Sequence, residues 1–74
     1  MTYKVGRCLL RERLYESGMT QTQLANKLKI TVQQINKYAS GRQGMSLQVA
    51  KNIASILHCQ MEELYEWIEV GDDE

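Results

Sequence analysis

Apolar residues recur at helical spacing along most of the chain, and the polar residues between them supply start and stop signals. Leu9, Leu10 and Leu14 fall on one side of a first segment, which the pattern extends over about 5–17. Ser17-Gly18 ends it, because glycine readily takes the left-handed conformation that follows a helix. Met19 then precedes Thr20, where it can staple onto Leu24. Thr20 is followed three residues on by Gln23, and Thr31 by Gln34; each pair is a capping-box pattern, eleven residues apart. The two helices so started cover about 21–28 and 32–39, with Leu24, Ala25, Leu28, Ile35 and Tyr38 apolar and Ile30 in the turn between them. Ser40-Gly41 closes the second. Ser46 caps a longer helix in which Leu47, Ala50, Ile53, Ala54 and Leu57 recur. His58-Cys59-Gln60 interrupts, and a last helix is predicted over about 61–68, with Leu64, Tyr65 and Ile68 apolar. Glu62 and Glu63 sit in its first turn, where the helix dipole favours negative charge. No sustained period-two alternation is present. The expected fold is therefore all-α, a compact five-helix domain.

Helices of two turns cannot stand alone in water, so those at 21–28 and 32–39 must pack on each other and on a third element. Two short helices joined by a turn of three or four residues make a helix-turn-helix, whose second helix enters a DNA major groove. Val32, Gln33, Asn36 and Lys37 are not needed for the apolar face of that second helix. Gln and Asn pair donor and acceptor as adenine edges require, Lys suits guanine or phosphate, and Val32 can meet a thymine methyl. The same residues also fit an ordinary solvated face.

Charge favours the first of these readings. The chain is formally neutral, with a pI near 6.6. Yet residues 1–61 carry nine basic and only two acidic side chains, a net of +7, while residues 62–74 carry seven acidic and no basic ones. Between Ser17 and Met61 there is no acid at all. A basic body suits a polyanion. Residues 69–74 read as an acidic, disordered tail.

Seventy-four residues, 43% of them hydrophobic, make one domain with a modest core. No apolar run approaches the ~18 residues that cross a membrane, and no signal peptide is visible. The reading is a soluble, intracellular protein with no membrane partner. Cys8 and Cys59 are far apart and read as free buried thiols. His58 stands alone at a helix end, and no nucleophile constellation, metal-ligand spacing or Gly-rich phosphate loop is present. Neither an enzyme nor a cofactor is expected. Trp67, Ile68 and Val70 are apolar residues near the chain's end, and Trp67 either caps the core or forms a dimer contact.

The residues Gly18-Met19-Thr20-Gln21-Thr22-Gln23-Leu24-Ala25, Ile30-Thr31, Gln34-Ile35-Asn36-Lys37-Tyr38 and Ser40-Gly41-Arg42 together resemble the Cro/CI-type helix-turn-helix domain (XRE family) of phage repressors and small bacterial regulators. The resemblance extends through Met45-Ser46-Leu47, Ala50-Lys51-Asn52-Ile53-Ala54 and Leu64-Tyr65-Glu66-Trp67, and so covers about residues 5–68, taken with 1–4 as the DNA-binding domain (1–68). It implies a lambda repressor-like fold whose second and third helices read DNA. It places Val32 and Gln33 at base edges, Lys37 at a further groove-facing position, Gln21 at a phosphate, and Ser40, Arg42 and Gln43 near the DNA backbone; the expected contacts are these together with Asn36 at base edges and Thr20, Thr31 and Gln34 at phosphates. Backbone N–H groups at the start of the second helix bind phosphate as well. Two positions depart from the family pattern. Lys29 stands in the turn where glycine is frequent, and Arg13 stands where an apolar residue is frequent, so that Leu14 takes over its packing role. The function implied is a sequence-specific double-stranded DNA-binding regulator, a repressor of phage, prophage or plasmid type. It would bind a palindromic operator as a homodimer, with Trp67, Ile68 and Val70 as contact candidates. The alternative is a protein-interaction module, an antitoxin or anti-regulator, that keeps the helix-turn-helix to bind another protein.

Overall fold

The structure, a computed structural model, describes residues 2–71. The chain runs β1 (Thr2–Cys8), α1 (Leu10–Ser17), α2 (Gln21–Leu28), α3 (Val32–Ala39), α4 (Leu47–Leu57), a single 3₁₀ turn (Met61–Leu64) and β2 (Tyr65–Val70). The five-helix, all-α expectation is therefore wrong at both ends. Four α-helices are joined by a two-stranded antiparallel sheet made from the first and last segments.

The reason lies in local composition. Gly6 is a poor interior residue for the helix expected over 5–17, and the start of that segment pairs as a strand instead. Tyr65-Glu66-Trp67-Ile68-Glu69-Val70 is rich in aromatic and β-branched residues, which favour a pleated surface over a helix. Opposed pairs are Thr2 with Val70, Tyr3 with Glu69, Lys4 with Ile68 and Val5 with Trp67. Two residues, Gly6 and Arg7, then lie between Val5 and Cys8 while one, Glu66, lies between Trp67 and Tyr65, so β1 carries one extra residue at Gly6-Arg7. Such a bulge frees a backbone group from the ladder. Gly6 suits that position, since a Cβ would come within 3.1 Å of both the Glu66 Cβ and the Ile68 Cδ1 and would press those neighbours aside by a few tenths of an ångström. β2 also takes in Glu69 and Val70, two residues assigned by pattern to the acidic tail. Asp72, Asp73 and Glu74 of that tail lie outside the described residues.

The core draws one fully buried side chain from each helix and from the 3₁₀ turn: Leu10, Leu24, Ile35, Ile53 and Leu64. Leu14 is buried too, as expected of the residue that replaces position 13. Arg13 has its own use, donating its Nε–H to the Glu63 carbonyl at 2.9 Å and pairing with Glu16. The sheet is tied to the helices by the Leu9 N–H donating to the Leu64 carbonyl at 2.8 Å, and by the Trp67 indole N–H donating to the Glu62 carbonyl at 2.8 Å. The Met45 N–H donates to the Tyr65 hydroxyl at 3.3 Å, fixing the loop after α3 against β2.

Caps position α2 and α3. The Thr20 hydroxyl accepts from the Gln23 N–H at 3.1 Å, and the Gln23 amide oxygen accepts from the Thr20 N–H at 2.9 Å, a complete capping box. Thr31 supplies only its half, accepting from the Gln34 N–H at 3.1 Å. The Gln34 side chain turns away and donates to the Gln43 Oε1 at 3.0 Å, tying α3 to the following loop. Lys29 closes α2 in the left-handed conformation, at φ 60°. Thr20→Ala should cost about 1 kcal/mol, and up to about 2, since it leaves the Gln23 backbone N–H without its side-chain acceptor. Urea unfolding followed by circular dichroism measures this; an unchanged midpoint would show that water replaces the cap at no cost.

Candidate nucleic-acid interface

α2 and α3 are joined by Lys29-Ile30-Thr31, a three-residue turn, and pack through Leu24, Ala25, Ile35 and Tyr38. With those four side chains inward, the remaining faces of α3 are set by the 3.6-residue period. Val32, Gln33, Asn36 and Lys37 all point outward and are exposed. They line one open cleft of about 390 Å³ together with Gln21 from the start of α2 and Arg42 from the loop after α3. Six residues singled out from sequence for DNA contact are thus brought together from three segments.

The electrostatics of the cleft follow from its lining. It has two cations, Lys37 and Arg42, three amide side chains and one apolar residue, and no carboxylate. Among the described residues, neither cation is in an ion pair; the pairs present involve Arg7 and Arg13. Positive charge and paired donor–acceptor groups therefore face solvent unneutralised.

The other phosphate candidates lie around this cleft rather than in it. Thr20 and Thr31 are exposed and use an oxygen lone pair as helix caps, leaving each hydroxyl proton to donate outward. Ser40 is exposed and bonds back to the Lys37 carbonyl at 3.3 Å. Gln34 and Gln43 are engaged with each other, leaving the Gln43 amide NH₂ free to donate.

Residues 9–69 match the Cro/C1-type HTH DNA-binding domain. The chain belongs to this family. It is also 34% identical over 65 residues to the SPbeta prophage-derived uncharacterized HTH-type transcriptional regulator YopS of Bacillus subtilis (strain 168), an alignment covering 86% of this chain and 88% of that protein. As a member of the Cro/C1-type family the chain is a DNA-binding transcriptional regulator, not an enzyme. Among the described residues there is no group of three or more His, Cys, Asp or Glu side chains placed to hold a metal ion. Burial pushes both the Cys8 and the Cys59 thiols above their ordinary range, the reverse of what a nucleophilic cysteine needs. No helix among the described residues is long and apolar enough to cross a membrane.

The match to the Cro/C1-type family begins only after β1, so the strand that pairs with β2 lies outside it. The three apolar contact candidates do not form one patch. Directly opposed residues of an antiparallel pair share a face, so Trp67 lies with Tyr3 and Val5, while Ile68 and Val70 lie with Lys4 and Thr2 on the opposite face. Sequence reasoning missed Leu47. It repeats at core spacing, yet it is 77% exposed at the first turn of α4. Leu47 shares an open, mainly apolar groove of about 540 Å³ with Val5, Met45, Met61, Tyr65 and Trp67. The signal that could have found it is its place immediately after the Ser46 cap, one turn before the first core residue, Ala50.

Proposed function

We propose that the protein is a sequence-specific repressor of prophage type that binds a palindromic duplex operator as a homodimer, in the bacterial cytoplasm. The observation that carries this is the cleft of Gln21, Val32, Gln33, Asn36, Lys37 and Arg42, whose lining holds no acid and whose two cations have no ion-pair partner among the described residues. Val32, Gln33, Asn36 and Lys37 would meet base edges, and Gln21 and Arg42, with Thr20, Thr31, Gln34, Ser40 and Gln43, would hold phosphates on either side. The kinship with a prophage-derived regulator supports the biological setting.

One such domain covers one half-site. Two copies related by a two-fold axis reach half-sites one helical turn, about 34 Å, apart. The groove of Val5, Leu47 and Trp67 adjoins the loop at Gly44-Met45-Ser46, next to the phosphate-facing Arg42 and Gln43. A second copy seated there lies beside its own half-site and covers exposed apolar side chains from β1, α4 and β2.

The test is a pair of substitutions read on two duplexes. Gln33→Ala should cost about 1–3 kcal/mol on an operator selected from a random pool and little on unrelated DNA. Arg42→Ala should weaken both by a similar factor and flatten the dependence of log K on log salt by about one. Equal weakening of both duplexes by Gln33→Ala would remove its base-reading role, and a wild type indifferent to duplex at low salt would favour a protein partner instead.

A further inference from the structure

A second cleft, of about 350 Å³, opens between β1 and the loop after α3. Arg7 lines it from the strand, and Ser40, Gly41 and Gln43 line it from the loop. Ser40 and Gln43 are phosphate candidates, so a cation not counted among the DNA contacts borders the same stretch of surface. Arg7 also precedes the segment matched to the family.

The guanidinium of Arg7 is held by two carboxylates. It donates to the Glu12 Oε2 at 3.1 Å and to the Glu66 Oε2 at 3.5 Å, with 64% of its side chain still exposed. The bulge adds a third donor. The Arg7 backbone N–H, released from the strand ladder, donates to the Glu66 Oε1 at 3.3 Å. Glu66 therefore places an anion against a guanidinium and a backbone N–H at once, the donor set that a phosphate takes. These contacts are long and solvent-exposed, so an incoming anion can replace them at little cost.

We propose that Arg7 is a DNA phosphate contact that Glu66 occupies in the free protein. The proposal rests on the DNA-binding reading of α3 and extends its footprint from the loop onto β1. When a duplex seats on α3, a backbone phosphate beside Ser40 and Gln43 takes the place of the Glu66 carboxylate on Arg7. The acidic side chain lowers affinity for DNA in general, because every duplex must displace it, and so restrains non-specific binding, where charge supplies nearly all the affinity.

Binding of wild type, Arg7→Ala, Glu66→Gln and the double variant to a random-sequence duplex, titrated over salt, tests this. Each phosphate contact adds about 0.9 to the magnitude of the salt slope. Arg7→Ala should remove that increment and weaken binding by about eightfold at 0.1 M salt, with an unchanged circular dichroism spectrum. Glu66→Gln should tighten binding severalfold in the wild-type background and hardly at all in the Arg7→Ala background. An equal gain in both backgrounds would reduce Glu66 to a general charge effect and overturn the exchange. If Arg42→Ala flattens the slope and Arg7→Ala does not, the Arg7 contact is wrong while the DNA reading stands. If wild type shows no salt-dependent binding at all, the DNA reading itself fails.

Discussion

Leu64→Ala is expected to destabilise the protein by about 2–5 kcal/mol, the usual range for truncating a fully enclosed leucine. Leu64 is completely buried, ends the 3₁₀ turn, and sits where β2 leaves the helices. Its carbonyl takes the Leu9 N–H at 2.8 Å, so the cavity would open at the joint that ties β1 and β2 to α1. Domains hold about 0.05–0.15 kcal/mol per residue, about 4–11 kcal/mol for a chain of this length. The loss therefore removes a large part of the total, and helices and sheet should melt together. Leu47→Ala is the matched control, since Leu47 is 77% exposed and truncation should change stability by less than about 0.5 kcal/mol. Urea midpoints for the two variants decide the matter. Similar losses at both positions would mean that the groove around Leu47 closes over it in solution.

Leu47→Glu should leave the fold intact and abolish operator binding at working concentrations. The residue opens α4, where a carboxylate is favoured by the helix dipole, so the substitution does not disturb the helix. It does place a charge in the apolar groove formed with Val5 and Trp67, where the second copy is proposed to sit. A dimer delivers its second reading head at an effective concentration in the millimolar range, and losing it lowers affinity by about 10²–10⁴-fold. Trp67→Ala is a less clean probe, because the indole also donates to the Glu62 carbonyl. Sedimentation with a two-half-site duplex gives the stoichiometry directly. A wild-type complex of one chain per duplex, or a Leu47→Glu variant that binds as tightly as wild type, would exclude this surface.

The middle of the molecule was legible in its sequence, and the ends were not. Thr20 with Gln23, Thr31, Ser46 and the breaks at Gly18 and Gly41 are local signals, and each marks a helix end that the structure places at the same residues. The cleft residues were legible for a related reason: once Leu24, Ile35 and Tyr38 point inward, the helical period fixes where Gln33 and Lys37 point. β1 and β2 depend instead on partners about sixty residues away, which no window on the chain contains. Tyr65 and Ile68 fit a helix by spacing alone; the aromatic and β-branched residue types of the segment lean towards a strand, and the pairing of Trp67 with Val5 completes it. Leu47 misled in the opposite direction, since spacing places a residue on a face without saying whether anything covers that face. Gln34 completed a capping-box pattern on paper, yet its amide found Gln43, a competitor from the next loop.

The sheet joins Thr2 to Val70, nearly the full length of the described chain. During synthesis β1 emerges before β2 and waits for its partner until the four helices between them have been made. A two-stranded sheet is marginal by itself and leaves both outer edges unpaired. The caps, the turn and the packing of α2 on α3 are local and can form while translation continues. A nascent copy can thus form α3 before it forms the sheet that borders the proposed dimer surface. If the dimer sits as proposed, its surface of Val5, Leu47 and Trp67 is complete only in a copy synthesised through β2.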